Sequence, residues 1–368
     1  MTSRLAVYCP DLPPARGGLA DHTLVLSRAL AALGADVVAV GRRGDPAAFA
    51  PIPCRIGVTH NPGAAGLGAV CRELGVRSLV VQYVPFLFAR LGLAPGLVWS
   101  VGALRRAGVR IGTIVHEPWV PPTRPVWRIT HGPMRRQLLA LVRRSDVVYS
   151  PTPDFLEMVR PAARPGAVLA KAPVGSNVPV VRVERAEARR ALGLGPDDIA
   201  IGVFSPGASG ALTAWVEAAA RALAARLAVQ WVLFGSGSER VPAGLPPRAR
   251  VRRLGWIASD EASRVLQALD LALAPFEDGL TLRRGSAMAC LSHGVPVVSS
   301  RGEHFDPDLA GAAECLETAD AFVESVLALV ADPEGRRRLG LRGEAFYRTG
   351  ASVEVLAARL LSELGGAS

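Results

Sequence analysis

The segment "FEDGLTLRRGS" (276–286) brings together side chains that could bind an anionic ligand. Two acids, Glu277 and Asp278, are followed a few residues later by two guanidinium groups, Arg283 and Arg284. Guanidinium groups fork onto phosphate oxygens, and carboxylates accept hydrogen bonds from hydroxyl groups. The segment therefore predicts a diphosphate site formed without a metal, next to acids that contact sugar hydroxyls.

The predicted local structure places these groups at the start of a helix. Gly279 permits a turn after the strand "LALAP", and we expect the helix to begin near Leu282. A helix amino end carries free N–H groups and a partial positive charge, which attract an anion. Arginine in a first turn opposes the helix dipole, and this cost favours a binding role over a solvated surface pair.

Two glycine loops also follow predicted strands. In "LFGSGSER", Gly235, Ser236 and Gly237 form a turn suited to backbone contact with a nucleotide, which is a weak signal alone. In "PDLPPARGGLADHT", Gly17 and Gly18 precede a helix whose amino end favours an anion, and an ordinary flexible loop is the alternative. Neither loop has the GxGxxG spacing, which disfavours a nicotinamide-dependent enzyme.

The segment "IVHEPW" places His116 and Glu117 at the end of a predicted strand. A lone histidine is more often structural than catalytic. At a strand end it could also donate a hydrogen bond to a substrate hydroxyl. The residues alone favour neither interpretation.

Short β-rich runs alternate with longer helical ones in two series, one ending near residue 152 and one beginning near residue 198. Strand–helix–strand units build parallel sheets. We therefore predict an α/β fold of two Rossmann-like domains facing each other across a cleft, joined by a linker at about 174–190. Ligands bind at the carboxyl ends of the strands in such folds. The tail should form three helices, over 319–331, 334–347 and 353–365.

The 368 residues are half apolar, which suffices for two domain cores, and their net charge is +10. Residues 1–180 carry a net charge of +12 and residues 181–368 a net charge of −2. A basic half indicates an anionic partner, either a membrane surface, a nucleic acid or a phosphorylated substrate, and solubility alone is the alternative. The sequence contains no recognisable nucleic-acid-binding motif, so we expect no nucleic-acid partner.

The five cysteines are scattered, odd in number and without CxxC spacing, which disfavours both a disulfide framework and a metal site. We expect buried thiols in a reducing cytoplasm. The amino-terminal residues lack the long apolar region of a signal peptide. The apolar segment 91–104 is shorter than the ~18 residues expected of a membrane span.

The order and spacing of these motifs resemble glycosyltransferase family 4, whose members have the GT-B fold. The resemblance spans essentially the whole chain and rests on "GGLADHT", "VHEPW", "PVGSNVP", "LFGSGSE" and "FEDGLTLRRGSAMACLSHGVPVV". It implies a retaining, metal-independent, hexosyltransferase-type enzyme that uses a nucleotide-diphosphate sugar and no cofactor. It also implies an acceptor-binding domain (1–178), a donor-binding domain (179–350) and a final helix (351–368) that crosses back to the first domain.

The resemblance implies a role for each residue already singled out. The catalytic side chains would be His116, Asp278 and Arg284. The donor would be held by Gly17, Gly18, Gly235, Ser236, Gly237, Glu277, Gly279, Arg283 and Ser286. The acceptor side would include Asp21, His22, Glu117 and Trp119. No residue is expected to bind a metal.

The sequence departs from the family pattern at two places. The family's motif has two glutamates eight positions apart, and here Asp278 and Ser286 occupy those positions, so the residue that would hold the ribose is changed. A basic pair that commonly contacts the diphosphate is missing from "SPGASGALTAW", and Arg283 and Arg284 are expected to replace it. We therefore interpret the chain as a divergent subgroup.

These departures leave alternatives open. A non-catalytic GT-B binding or partner protein with a degenerate donor site would also fit, as would a sugar-nucleotide epimerase. A phosphorylase is disfavoured, because Lys171 is the only lysine.

The segment 116–144 mixes tryptophans with six arginines, a composition that suits an anionic membrane surface or a polyprenyl-diphosphate acceptor. An exposed helix packed on its own domain fits equally well. The expected acceptor is a glycan, a lipid-linked sugar or a small molecule. The expected location is the cytoplasm, including a peripheral position at the inner face of the membrane.

Overall fold

A computed structural model describes residues 4–15, 18–204, 207, 210–238 and 250–365. The chain divides into two compact units. Unit 1 comprises Met1–Pro173 together with Val353–Ser368, and unit 2 comprises Val174–Ser352. The boundaries lie within a few residues of 178 and 350, the limits expected from the sequence.

Unit 1 is built on a parallel sheet whose described strands have the order β3-β2-β1-β4-β5-β6-β7. These strands are β1 (Leu5–Tyr8), β2 (Val37–Val40), β3 (Cys54–Arg55), β4 (Ser78–Tyr83), β5 (Arg110–Val115), β6 (Val147–Ser150) and β7 (Val168–Lys171). The helices between them are α1 (Gly18–Ala32), α2 (Leu67–Glu73), α3 (Pro85–Phe88), α4 (Pro95–Arg106), α5 (Pro125–Val142) and α6 (Pro153–Val159). Two 3-10 turns, Pro46–Phe49 and Arg160–Ala162, complete the unit.

Unit 2 is built on a second parallel sheet, with the described strands in the order β10-β9-β8-β11-β12-β13. These strands are β8 (Ile199–Phe204), β9 (Val229–Phe234), β10 (Arg250–Gly255), β11 (Leu271–Ala274), β12 (Val297–Ser300) and β13 (Glu314–Leu316). Its helices are α7 (Arg185–Ala191), α8 (Thr213–Ala224), α9 (Ser259–Ala268), α10 (Gly285–Ser292), α11 (Ala319–Ala331) and α12 (Pro333–Phe346). A 3-10 turn at Pro307–Leu309 and a π-helical segment at Tyr347–Ala351 follow α10 and α12 respectively.

Each sheet has a hydrophobic cluster on both faces, which explains why its strands read as continuous apolar runs. In unit 1, α2, α4, α5 and α6 cover one face and α1 covers the other. In unit 2, α7, α9 and α10 cover one face, and α8 and α11 cover the other. The predicted alternation of strands and helices is therefore confirmed.

The last helix, α13 (Val353–Leu364), belongs to unit 1. It packs beside α1, and its buried leucines include Leu356, Leu360 and Leu364. The hydroxyl of Ser78 donates a hydrogen bond to the carbonyl of Leu364 at 3.0 Å. The tail helix is therefore part of the core of unit 1 and not an appendage.

Candidate functional site

Four neighbouring strands of unit 2 end at the edge of the sheet that holds the donor-site residues predicted in this unit. The strands are β9, β8, β11 and β12. The loop after β8 pairs with the loop after β11, because Ala211 forms a β-bridge with Phe276 and the amide of Glu277 donates to the carbonyl of Gly210 at 2.7 Å. The sheet thereby brings together loops that lie about seventy residues apart in sequence.

Two glycines allow the loops after β11 and β12 to touch backbone to backbone. Gly279 has φ +86°, and a Cβ atom there would lie 2.5 Å from the amide nitrogen of Gly302. A Cβ atom on Gly302 would lie 2.6 Å from the carbonyl oxygen of Glu277. The amide of His304 donates to the carbonyl of Asp278 at 2.9 Å. This contact fixes the backbone that carries the two acids.

Asp278 is bonded to both arginines of the predicted site. Its two carboxylate oxygens accept hydrogen bonds from Nη2 of Arg283 and from Nη2 of Arg284. Burial opposes ionisation of Asp278, but these two hydrogen bonds outweigh it and lower the pKa of the carboxyl group below its ordinary value. The side chain of Arg284 is 14% exposed and that of Arg283 is 35% exposed, so the guanidinium of Arg283 is the more accessible one.

The helix at this site begins later than the sequence predicts. It begins at Gly285 rather than near Leu282, because a turn precedes it. In this turn the backbone amide of Arg284 donates to the carbonyl of Thr281 at 3.1 Å. Arg284 is thus the residue before the helix, and the first helical turn contains Ser286. The expectation of arginines inside the first turn is wrong, and the dipole cost assigned to them there does not arise.

The glycine turn after β9 lies against the loop after β8. Gly235 and Gly237 have φ of +82° and +79°. A Cβ atom on Gly237 would lie 2.4 Å from the Cα atom of Gly207, and the amide of Gly207 donates to the carbonyl of Ser236 at 3.1 Å. The side of this turn at Ser236 is exposed. The backbone groups of this turn therefore lie next to the loop that follows β8.

In unit 1, two histidines of the predicted site lie on either side of a glutamine. Nε2 of Gln82 lies 3.0 Å from Nδ1 of His22, and Oε1 of Gln82 lies 2.6 Å from Nε2 of His116. The two imidazole centroids are 5.3 Å apart. Burial and the neighbouring His22 lower the pKa of His116 well below its ordinary value, so the ring is neutral at neutral pH.

The other residues predicted in unit 1 are less closely grouped. Trp119 packs edge-on against His131 and lies under the guanidinium of Arg135, 5.9 Å from its carbon. Glu117 is exposed. Asp21 lies in the first turn of α1.

The two glycines predicted before α1 give little support to a tight ligand contact. Gly17 lies outside the described residues. Gly18 is the first residue of α1, and a Cβ atom there would meet no atom within 4 Å. Within the structure, nothing requires a glycine at position 18.

Sequence reasoning missed Gln82, Gly210 and Gly302. A signal existed for Gln82, because it is the one polar residue inside the apolar part of "SLVVQYV". Gly302 lies two residues after the strand "VPVVSS", at the edge where a ligand is expected. Gly210 lies in "SPGASGALTAW", where the sequence gives no signal that the loop pairs with the one after β11.

Among the described residues, no group of three or more His, Cys, Asp and Glu side chains is arranged to hold a metal ion. No described helix has the length and apolar character needed to cross a membrane. The five cysteines, which lie in both units, are free thiols.

Part of the second unit matches a known sequence family model. Residues 199–332 match the family model described as glycosyl transferases group 1, which covers β8 to α11 and the predicted donor-site residues of unit 2. No curated protein sequence matches the chain.

Solved structures similar to this chain share its whole architecture at low sequence identity. Sucrose-phosphate synthase from Thermosynechococcus elongatus is 17% identical, with full coverage of both chains and a TM-score of 0.68. HepE from Anabaena, solved in complex with UDP and glucose, is 13% identical, also with full coverage of both chains and a TM-score of 0.65. WaaG, a glycosyltransferase involved in lipopolysaccharide biosynthesis, is 14% identical, with 99% of this chain and 100% of WaaG covered and a TM-score of 0.64. These likenesses confirm the GT-B fold predicted from the sequence.

Proposed function

We propose that the chain, a glycosyltransferase with the GT-B fold, moves a hexose from a nucleotide-diphosphate sugar to an acceptor. We further propose retention of anomeric configuration, independence from metal ions, and membership of a divergent subgroup of family 4 in which Ser286 replaces the second glutamate. Unit 2 binds the donor in this proposal, and unit 1 binds the acceptor. HepE, solved with UDP and glucose, supports a nucleotide-sugar donor.

The observation that carries the proposal is the Asp278–Arg283–Arg284 cluster next to the amino end of α10. Its formal charges sum to +1, and the first-turn N–H groups of the helix add a partial positive charge. The guanidinium of Arg283, the more exposed of the two, offers five N–H donors, and its Nη2 is bound to Asp278. The cluster is therefore suited to a diphosphate that approaches from the side of Arg283.

Cations at this position lower the barrier of the reaction. Negative charge grows on the β-phosphate as the nucleotide diphosphate departs, and groups already in place stabilise that charge more in the transition state than in the ground state. Asp278 holds both guanidinium groups, so little reorganisation is needed when the donor binds. This arrangement supports charge stabilisation by arginine where other enzymes use a metal.

A turnover assay without added metal tests the proposed independence from metal ions. Activity measured after treatment with EDTA should equal that measured before treatment. A loss of activity that Mg²⁺ or Mn²⁺ restores would reject metal independence and leave the donor site itself in place.

Thermal unfolding in the presence of UDP, GDP, dTDP, ADP and the corresponding sugar nucleotides tests the donor site. A ligand at a hundred times its dissociation constant stabilises the folded protein by about 2.7 kcal/mol, which gives a clear rise in Tm. We expect a shift with one base, lost in Arg283→Gln and Arg284→Gln. Arg337→Gln is the matched control, because Arg337 is an exposed arginine of the same unit that pairs with Glu334. No shift with any nucleotide would reject the proposal.

The non-catalytic alternative makes a different prediction for the same protein. The replacement at Ser286 and the pairing of Asp278 with both arginines would then reflect a degenerate site. Nucleotide binding without donor hydrolysis or transfer, over a panel of acceptors, would favour that alternative.

For the acceptor side we propose contact with an anionic membrane surface through α5. Exposed apolar residues of this helix, Ile129 at 77% and Val126 at 45%, lie among exposed arginines. The guanidinium of Arg124 stacks on Trp127 at 4.5 Å. Basic and aromatic residues in this combination favour an anionic bilayer interface and would bring the enzyme to a lipid-linked acceptor.

A further inference from the structure

We infer that Gln82 is a positioning residue that fixes the proton of His116 on Nε2, so that Nδ1 of His116 accepts a hydrogen bond from a hydroxyl group of the substrate. This inference rests on the proposed function for the identity of the substrate, and on the geometry of unit 1 for the rest. It reverses the direction expected from the sequence, in which His116 donates.

The hydrogen-bonded bridge of His22, Gln82 and His116 lies on the central strands of unit 1. Gln82 lies near the carboxyl end of β4, a strand flanked by β1 and β5 on its two sides, and its side chain is fully buried. His22 is 3% exposed, and the amide of His116 donates to the carbonyl of Tyr83 at 3.1 Å. The two rings and the amide are thus held by the sheet and by α1.

The chemistry of an amide decides where the histidine protons are. An amide oxygen only accepts hydrogen bonds and an amide N–H only donates them. Because Oε1 of Gln82 faces Nε2 of His116, that nitrogen carries a proton. Because Nε2 of Gln82 faces Nδ1 of His22, that nitrogen carries a lone pair. In the neutral rings, the remaining nitrogen of His116, Nδ1, is then an acceptor.

The bridge also limits the charge that the pair can hold. A second proton on His22 would place an N–H group against the amide N–H of Gln82, which breaks that hydrogen bond. A second proton on His116 would occupy Nδ1 and remove the acceptor. No other hydrogen bond to Nδ1 of His116 comes from the part of the chain that the structure describes. The arrangement therefore favours a neutral His116 that presents Nδ1 to a ligand.

The inference can be tested by NMR of the full-length protein labelled with ¹⁵N-histidine, without any substrate. Imidazole nitrogens with and without a proton have well-separated ¹⁵N shifts, which report the tautomer of each ring directly. We expect both His22 and His116 as single Nε2–H tautomers, assigned with the His22→Gln and His116→Gln variants. A proton on Nδ1 of His116, which the reversed amide would produce, overturns the inference.

Variants of Gln82 separate positioning from mere packing. Gln82→Met keeps the volume and removes both hydrogen bonds, so the shifts of His116 should become averages of two tautomers. Gln82→Glu presents an acceptor to both rings, so Nδ1 of His22 should gain a proton and Nε2 of His116 should keep its own. Gln230→Met is the control, because Gln230 is a buried strand glutamine of the other unit, and it should leave both rings unchanged. If the ¹⁵N shifts of His116 in Gln82→Met equal those of the wild type, Gln82 does not set the tautomer.

Activity adds a second readout once a donor and acceptor pair is known. Gln82→Met should lower kcat about tenfold, the loss expected for one mispositioned hydrogen bond, with donor affinity unchanged. If the wild-type protein transfers no sugar, the proposed function fails, and the NMR result still decides the role of Gln82.

Discussion

The guanidinium of Arg284 lies over the ring of Phe276, with its carbon 4.1 Å from the ring centroid, while Nη2 of the same group binds Asp278. A planar cation that is stacked on one side and bonded at one edge loses little freedom on meeting an anion. Phe276 is 4% exposed and lies two residues after β11, so the end of the sheet determines the position of this cation.

Arg284→Gln should lower kcat about a hundredfold, because one preorganised donor to the leaving group contributes on the order of 3 kcal/mol to transition-state stabilisation. Arg284→Lys keeps the charge and loses both the stacking and the planar fork, so we expect an intermediate loss. Steady-state kinetics with the donor identified by thermal shift measures kcat of both variants. Arg337→Gln should retain wild-type kcat, and an Arg284→Gln enzyme as fast as that control would exclude the proposed role.

Gly302→Ala should destabilise unit 2 by about 2 kcal/mol, because the new methyl group would overlap the carbonyl of Glu277 and the amide of Gly279, each at 2.6 Å. The overlap would also push the two acids away from the arginines and weaken nucleotide binding. Gly285→Ala is the matched control in α10, where a Cβ atom meets nothing within 4 Å and alanine is the better helix former. Urea unfolding followed by fluorescence compares the two. Equal stability of both variants would contradict the close approach of the loops.

The fold and the loops that carry the candidate site of unit 2 could be predicted from sequence, because both depend on local patterns. Apolar runs of four to six residues mark the buried strands, and a residue that directly follows such a run lies at the ligand-binding edge. Gly235 directly follows β9, and Asp278 lies in the loop after β11. The predicted helix start was too early because buried Leu282 resembles the first apolar residue of a helix, whereas in the structure it lies in a turn.

The pairing of side chains could not be predicted in the same way. Asp278 and its arginines were assigned to different parts of a ligand, and in the structure they bind one another. Gln82 touches residues 60 positions before it and 34 positions after it, and no local pattern encodes such a bridge. Contacts of this kind depend on strand order, which single-sequence patterns leave undetermined.

Asp146 should make unit 1 sensitive to acid. Burial opposes its ionisation, but hydrogen bonds from the amide of Ile111 at 2.7 Å and from Arg105 and Arg164 outweigh burial and lower the pKa of the carboxyl group. Because the folded-state pKa lies below the unfolded value of about 3.9, this stabilisation is complete above that value and disappears as the pH falls through the folded pKa.

Asp146→Asn should therefore cost about 2 kcal/mol of stability at pH 7 and progressively less as the pH approaches 3. Denaturant unfolding at a series of pH values measures the difference between variant and wild type. Glu73→Gln is the control, because Glu73 forms an exposed pair with Arg55 at 3.5 Å and should contribute little at any pH. A difference that does not change with pH would show that the charge of Asp146 is not what stabilises unit 1.

Leu360→Ala should destabilise unit 1 by about 2–5 kcal/mol, because Leu360 of α13 is fully buried and its removal leaves a cavity. Its Cδ2 atom lies 3.8 Å from the position of a Cβ atom on Gly112 in β5, so the loss reaches the middle of the sheet. Ser362→Ala, an exposed substitution on the same helix, should change stability by less than about 0.5 kcal/mol. Unfolding monitored by hydrogen exchange of the β4 and β5 amides compares them. Undiminished protection in Leu360→Ala would show that α13 is not part of this core.

The proposed membrane contact predicts charge-dependent binding to vesicles. The exposed arginines Arg128, Arg135 and Arg136 of α5 should each contribute about 1 kcal/mol to binding an anionic surface. Replacing all three with glutamine should lower the partition coefficient by about a hundredfold in a flotation assay with vesicles that contain anionic lipid. Arg337, Arg338 and Arg342 are three exposed arginines of α12, and their replacement matches the charge change on another surface. An equal loss in both triple variants would indicate that net charge alone drives binding, and no flotation of the wild-type protein on anionic vesicles would exclude the membrane contact.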